Sequence, residues 1–468
     1  MGCRLFISTV AAAFVAASPQ AHAEGGPTGD PKRPAIQSNR WQEDWSVLSD
    51  PALKTQPLDG LKYIPLFATS PESYVSFGAT LRDRFETNHA PGFGIGGSKG
   101  DSYVIQRAQI HVDLRLFEDW QIFTQFEDDR AFGKHPVGPV DANEADLRLA
   151  FLAYSHEFDA GTLKARVGRQ DFSFDLQRFV SSRDGPNVRQ SFDAVWADWE
   201  TGPWRILGFL SQPVLYRDNR PFDDTSSSDF QFDMLRLERQ LSAGIELSTY
   251  WALFERASSD YLDGAGHEQR YVLDLRFTGK SGGFDWDLEG MSQFGSVGDK
   301  EIRAWALGAR AGYTFEDLAW TPRIGLQVDA GSGDRHSGDG SIGTFNPLFP
   351  NGYYFSLAGY TSYANLIHLK PSISVKPAEN LTITTALGLQ WRQTTEDAIY
   401  VQPNLPVAGT AGQGGRWSGA YAQLRVDYTF NPNLTGAIEA VHFDAGETIR
   451  RAGGRNGNYL GAELKFSW

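Results

Sequence analysis

Arginines recur along this 468-residue chain in segments where polar and apolar residues alternate, and they fall on the polar side. Arg82 and Arg84 share one such segment and Arg107 and Arg115 another. Arg148, Arg166, Arg276, Arg310, Arg323, Arg392 and Arg425 hold equivalent places further along. A guanidinium keeps its charge and grips a carboxylate through two parallel hydrogen bonds. A ladder of them along a watery passage offers an anion many shallow sites with low barriers between them. A second group lies in residues 171–190, with Arg178, Arg183 and Arg189, and Arg169 just ahead. A loop of that length folded into a passage would form a constriction. Acids share the polar faces: Glu86, Asp113, Glu127, Asp274, Asp285, Asp287, Asp329 and Asp427. Any single arginine is therefore expected to brace the wall by pairing, and the anion path is a property of the set.

The alternation identifies the elements that carry these residues. In residues 74–86 the odd positions hold Val75, Phe77, Ala79, Leu81 and Phe85, and the even positions hold Ser76, Thr80, Arg82, Arg84 and Glu86. Residues 103–116 and 381–392 repeat the pattern. A period of two over this length is a strand signal. Many segments exceed the roughly 9–11 residues that cross a bilayer at a tilt, whereas a soluble sandwich hides its apolar face against a second sheet. Short turns such as Glu118-Asp119, Thr201-Gly202 and Asn431-Pro432-Asn433 alternate with long stretches. The long stretches are residues 89–101, 130–144, 171–190, 212–228, 257–267, 331–362, 396–416 and 445–456. Aromatic pairs flank the short turns, as Phe117 and Trp120 or Phe284 and Trp286 do, where an interfacial girdle belongs. The fold class expected is all-β: a transmembrane antiparallel β-barrel of about 18 strands, with long extracellular loops and short periplasmic turns. Residues 73–468 are expected to form that barrel, closed by the alternating, aromatic-ended segment up to Trp468.

Residues 1–23 read as a cleaved signal peptide: Arg4, an apolar run, then Ala21-His22-Ala23. The one cysteine, Cys3, falls inside it, so no disulfide framework is expected. Residues 24–72 are Pro-rich and poorly periodic, and read as a periplasmic or barrel-docked segment carrying Trp41 and Trp45. No later apolar run is long enough for a spanning helix. Aromatic residues make up 13% and glycines number 49, a balance that suits a chain in which only every second residue meets lipid. The net charge of −14, with no basic stripe, argues against nucleic acid. The chain has no phosphate loop and no His-Glu-x-x-His pair, so neither catalysis nor a cofactor is expected. The pairs Asp128-Asp129 and Asp223-Asp224 read as solvated acids rather than calcium ligands.

Three segments together resemble a known family: Ala165-Arg166-Val167-Gly168-Arg169-Gln170, then Gln177-Arg178-Phe179-Val180, then Phe192-Asp193-Ala194-Val195. Thr124-Gln125-Phe126-Glu127-Asp128-Asp129-Arg130 and Phe345-Asn346-Pro347-Leu348-Phe349-Pro350 agree with it. From about Ser73 to Trp468 the chain is similar to the alginate-export (AlgE-like) outer-membrane porins. That resemblance implies an 18-stranded monomeric porin with an arginine-lined constriction and gating loops, which in the type member passes alginate outward. It places Arg107, Arg166 and Arg169 on matching segments, and Arg178 and Arg183 on the matching loop. The chain departs from a path tuned only to a polyanion in its acidic balance and its many inward acids. The function expected is passage of an anionic or sugar-like solute through the bacterial outer membrane, with export of alginate or a related uronate polysaccharide as the specific form. An uptake porin for small organic acids or sugars is the alternative, and a loop-based enzyme or adhesin the third reading. The partners expected are outer-membrane lipids, the barrel-insertion machinery and the solute.

Overall fold

The computed structural model describes residues 33–97 and 99–468, so the signal-peptide segment lies outside the described residues. Eighteen long strands close into one antiparallel barrel. The first six are β1 (Ser70–Asn88), β2 (Asp101–Leu116), β3 (Trp120–Phe132), β4 (Asn143–Phe158), β5 (Gly161–Gln170) and β6 (Phe192–Thr201). The next six are β7 (Trp204–Leu215), β8 (Phe230–Ser242), β9 (Ile245–Tyr261), β10 (Gly264–Ser281), β11 (Phe284–Val297) and β12 (Lys300–Thr314). The last six are β13 (Arg323–Gly331), β14 (Leu366–Ala378), β15 (Leu381–Trp391), β16 (Trp417–Asn431), β17 (Leu434–Ala445) and β18 (Gly457–Ser467). Closure pairs β1 with β18, and the backbones of Ala79 and Trp468 exchange two hydrogen bonds at 2.8 and 2.9 Å.

The period of two becomes two surfaces. Phe77, Leu81 and Phe85 of β1 are exposed on the outside, as are Leu273 and Leu275 of β10 and Ile324, Leu326 and Val328 of β13. Their polar neighbours in sequence are buried inside. This apolar outer band faces lipid and drives insertion. Phe117, Trp120, Phe284 and Trp320 are exposed at the short-turn end, where an aromatic girdle sits.

One expected long loop is absent. Residues 257–267 continue β9 and β10 to a two-residue hairpin, with Tyr261 opposite Gly264. Ser, Asp and Gly made this stretch look like a loop. The Ser259 and Tyr261 hydroxyls instead donate to Glu268 and tie the extended hairpin together.

Residues 33–63 pack on the lumen side of the short-turn end. Arg115 of β2 donates to the carbonyls of Trp41 and Glu43 at 3.0 and 2.9 Å. Arg40 pairs with Glu43 and donates to the carbonyls of Ala79 and Trp468. Trp45, Leu48, Tyr63 and Tyr74 form a small apolar core beneath them.

Candidate functional site

The lumen is occupied by the chain's own loops. Residues 171–191, between β5 and β6, and residues 332–365, between β13 and β14, fold inward from the long-loop end. Phe349 packs against Phe192, Phe232 and Phe254 of the wall at 5.0–6.0 Å between ring centroids. Phe179 meets Phe345 and Tyr363, and Val180 bridges to Phe349, so the two loops hold each other. Asp175, Gln177 and Arg183 take left-handed backbone conformations as the first loop winds through. Such strain persists where surrounding contacts over-determine the chain.

Arg178 pins that loop to the wall. Its guanidinium lies 2.5 Å from both Asp287 and Glu289 of β11 and donates to the Tyr354 hydroxyl at 2.6 Å. Arg276 shares Asp287 and also reaches Asp175 at 2.8 Å.

The loop's other end lies against a row of like charges. On three neighbouring strands, Lys465 of β18, Arg82 of β1 and Arg107 of β2 stand directly opposite one another. Like charges in that register repel, so the row calls for an anion. Asp184, at the turn of the first loop, supplies it. Arg107 donates to Asp184 Oδ1 at 2.7 Å, and Arg189 Nε lies 3.3 Å from the same oxygen. Arg82 donates to the Asp184 carbonyl at 2.9 Å. Burial alone would raise the Asp184 carboxyl; Arg189, Arg107, Arg82 and Lys465 hold it well below the ordinary range. Its side chain is still 29% exposed, so this cluster meets water.

The remaining expected arginines divide by partner. Arg84 is engaged by Glu86, Glu439 and Glu463, and Arg425 by Asp427 and Glu439. Arg323 pairs with Asp285 at 2.5 Å, and Arg148 with Asp171 at 2.9 Å. Arg115 pairs with Asp113 while anchoring the N-terminal segment. These braces are the pairing expected of single arginines. Arg166 is stacked between Trp41 and Trp196, 4.4 and 4.3 Å from their centroids. Arg183 lies over Phe349 and donates to the Leu348 carbonyl. Arg310, on the lumen side of β12, stands opposite Asp287 of β11 in the strand register.

Two placements differ from the sequence expectation. Arg169 stands three residues from Arg166, so a period of two puts it on the outward parity of Val167. There it pairs with Asp193 at 2.9 Å, away from the lumen row. Arg392 donates to carbonyls of Thr395, Asp397, Thr410, Gln413 and Gly415, so it organises its own loop. Asp129 is also not a solvated acid: it is buried opposite Arg107.

The site residues expected from the sequence leave out Lys465, Asp184 and Arg236, which holds Asp175 of the same loop at 2.6 Å. The alternation around Lys465 and Arg236 was the signal for both, since Leu464 and Phe466, and Leu235 and Leu237, face outward beside them. Asp184 had no local signal, because a loop has no period.

A closed barrel with an apolar belt, inward loops and a cationic row in its lumen defines an outer-membrane channel. Solved structures share this fold at low sequence identity. OpdQ of Pseudomonas aeruginosa matches with a TM-score of 0.57 at 11% identity, covering 84% of this chain and 98% of that one. OccAB1 of Acinetobacter baumannii matches with a TM-score of 0.57 at 12% identity, covering 88% and 99%. OccK2 (OpdF) of Pseudomonas aeruginosa, solved in complex with glucuronate, matches with a TM-score of 0.54 at 14% identity, covering 84% and 98%. No curated protein sequence matches. The chain belongs to the alginate export family, whose sequence model matches residues 73–463. It is a protein of the bacterial outer membrane.

Proposed function

We propose that the channel passes a carboxylate-bearing solute of the uronate class, an alginate-like polyuronate or a smaller uronate. The observation that supports this reading is the row Lys465, Arg82 and Arg107 facing Asp184. The row is a binding surface for carboxylate, and the loop presents one. When residues 171–191 withdraw, a solute carboxylate takes the place of the Asp184 side chain. Successive uronate units then meet successive weak sites. Glucuronate, the ligand of the structurally similar OccK2, is the natural small probe of this chemistry.

Planar-bilayer recording on the purified protein tests the reading. A reversal potential favouring anions is expected, with block by glucuronate or alginate oligomers that weakens in Arg107→Glu and Arg82→Glu. Cation preference unchanged by those substitutions would sink it.

A further inference from the structure

Outside the lumen row, acids converge where β4 begins beside loop 216–229. One oxygen from each of Asp146, Asp223 and Asp224 lies within 4.8 Å of the others. The arrangement is held by the backbone. The Asp224 amide donates to Asp146 Oδ2 at 3.0 Å, and the Arg217 amide donates to Asp224 Oδ1 at 2.8 Å.

A second feature points to a ligand. Asn143 is only 6% exposed, and its Nδ2 donates to Asp224 Oδ2 at 2.8 Å, which seats the amide against the acids. Its Oδ1 is buried and accepts no hydrogen bond. Asp223 Oδ1 is buried without a donor as well. A buried acceptor left unpaired is destabilising, and a bound cation removes that cost. Arg169 approaches the Asp146 carboxylate only at 4.0 Å; its Nε and Nη2 are committed to the Asp193 carboxylate, and Nη2 also reaches the Asp224 carbonyl at 3.4 Å.

We propose that Asp146, Asp223, Asp224 and the Asn143 side-chain oxygen bind a calcium ion that ties loop 216–229 to the rim of the barrel. The donors are all oxygen, the set that hard cations prefer. Calcium accepts irregular shells of 6–8 oxygens, completed here by water, whereas magnesium demands a near-ideal octahedron. The site lies at the long-loop end, outside the cell, where calcium is available. A bound ion would cancel the repulsion among the three carboxylates and satisfy both orphaned oxygens.

The test uses the full-length protein in detergent, stripped with EDTA and titrated with calcium chloride by calorimetry. One equivalent is expected to bind with a Kd of roughly 10⁻⁴–10⁻³ M or tighter, the range of extracellular sites. The Asp223→Asn/Asp224→Asn double variant should bind at least about tenfold more weakly, the loss of about 1.4 kcal/mol. Asp444→Asn, which alters an exposed acid paired with Arg450, should bind as the wild type does. Equal binding by the double variant, or no stoichiometric binding at millimolar calcium, would overturn the site. Should the double variant not fold, trypsin on the wild type decides. Calcium should slow cleavage after the exposed Arg217, and an unchanged rate overturns the proposal. None of these readouts depends on which solute the lumen passes.

Discussion

Arg107 of β2 donates to the carboxylate of Asp184 at 2.7 Å, joining the barrel wall to a loop 77 residues further along the chain. This contact places a carboxylate of the protein in front of a row of cations that would otherwise repel one another. It holds the loop in, and under the proposed function a solute carboxylate takes the same place.

Asp184→Asn should loosen that hold. The lost interaction is a charge-assisted hydrogen bond, worth about 1.5–3 kcal/mol, so the open probability should rise by about tenfold or more. Anion preference should also increase, because the row loses one internal counterion and keeps Asp129, 3.6 Å from Arg107. Single-channel recording gives both quantities, and a lower open probability with unchanged selectivity would contradict the assignment.

Arg178→Ala removes the pin at the other end of the loop. Glu289 and Asp287 would be left buried, with only Arg276 against Asp287. Breaking a buried pair on one side costs about 3–5 kcal/mol. Thermal unfolding in detergent should show the loss, and a smaller loss in Arg178→Ala/Glu289→Gln would trace it to the stranded charge.

Lys62 gives the N-terminal segment a pH dependence. Its ammonium is buried over the rings of Trp45 and Trp468, and its Nζ has no hydrogen-bond partner. Burial first, then Arg40, lowers its pKa to about 7; Arg33 acts the same way, and Glu43 and Asp59 oppose. The docked segment therefore holds fewer protons than the released one between about pH 7 and the ordinary lysine range. Docking should strengthen as pH rises through that window, at most about tenfold per unit, and level off below it. Protease protection of residues 33–63 measures this, and Lys62→Met should flatten the profile.

Arg392→Ala should damage a loop without changing selectivity. Carbonyls gathered from residues 395–415 would lose their donor, at about 1–3 kcal/mol for each that stays buried. Hydrogen exchange in residues 392–416 should accelerate while the reversal potential stays at the wild-type value. A shift in reversal potential would return Arg392 to the solute path.

The period of two in β1, β2 and β15 was enough to assign an inside and an outside to each strand, because adjacent side chains must point to opposite faces. That rule correctly put Arg82 and Arg107 in the lumen. The alternation of short and long connections oriented the barrel, and it failed only at residues 257–267, where polar strands run on beyond the membrane. Applied strictly, the same rule would have excluded Arg169 and included Lys465.

The sequence by itself therefore determined a barrel, its lipid face and a lumen rich in arginine, since these follow from neighbours along one strand. Only the tertiary structure decided which arginines are braced by acids and which face a loop carboxylate. Asp184, Arg178 and the meeting of Phe179 with Tyr363 depend on residues far apart in the chain, and no local pattern encodes such contacts. The Asp146, Asp223 and Asp224 group belongs to the same class: two of its members look solvated in sequence until the barrel brings the third beside them.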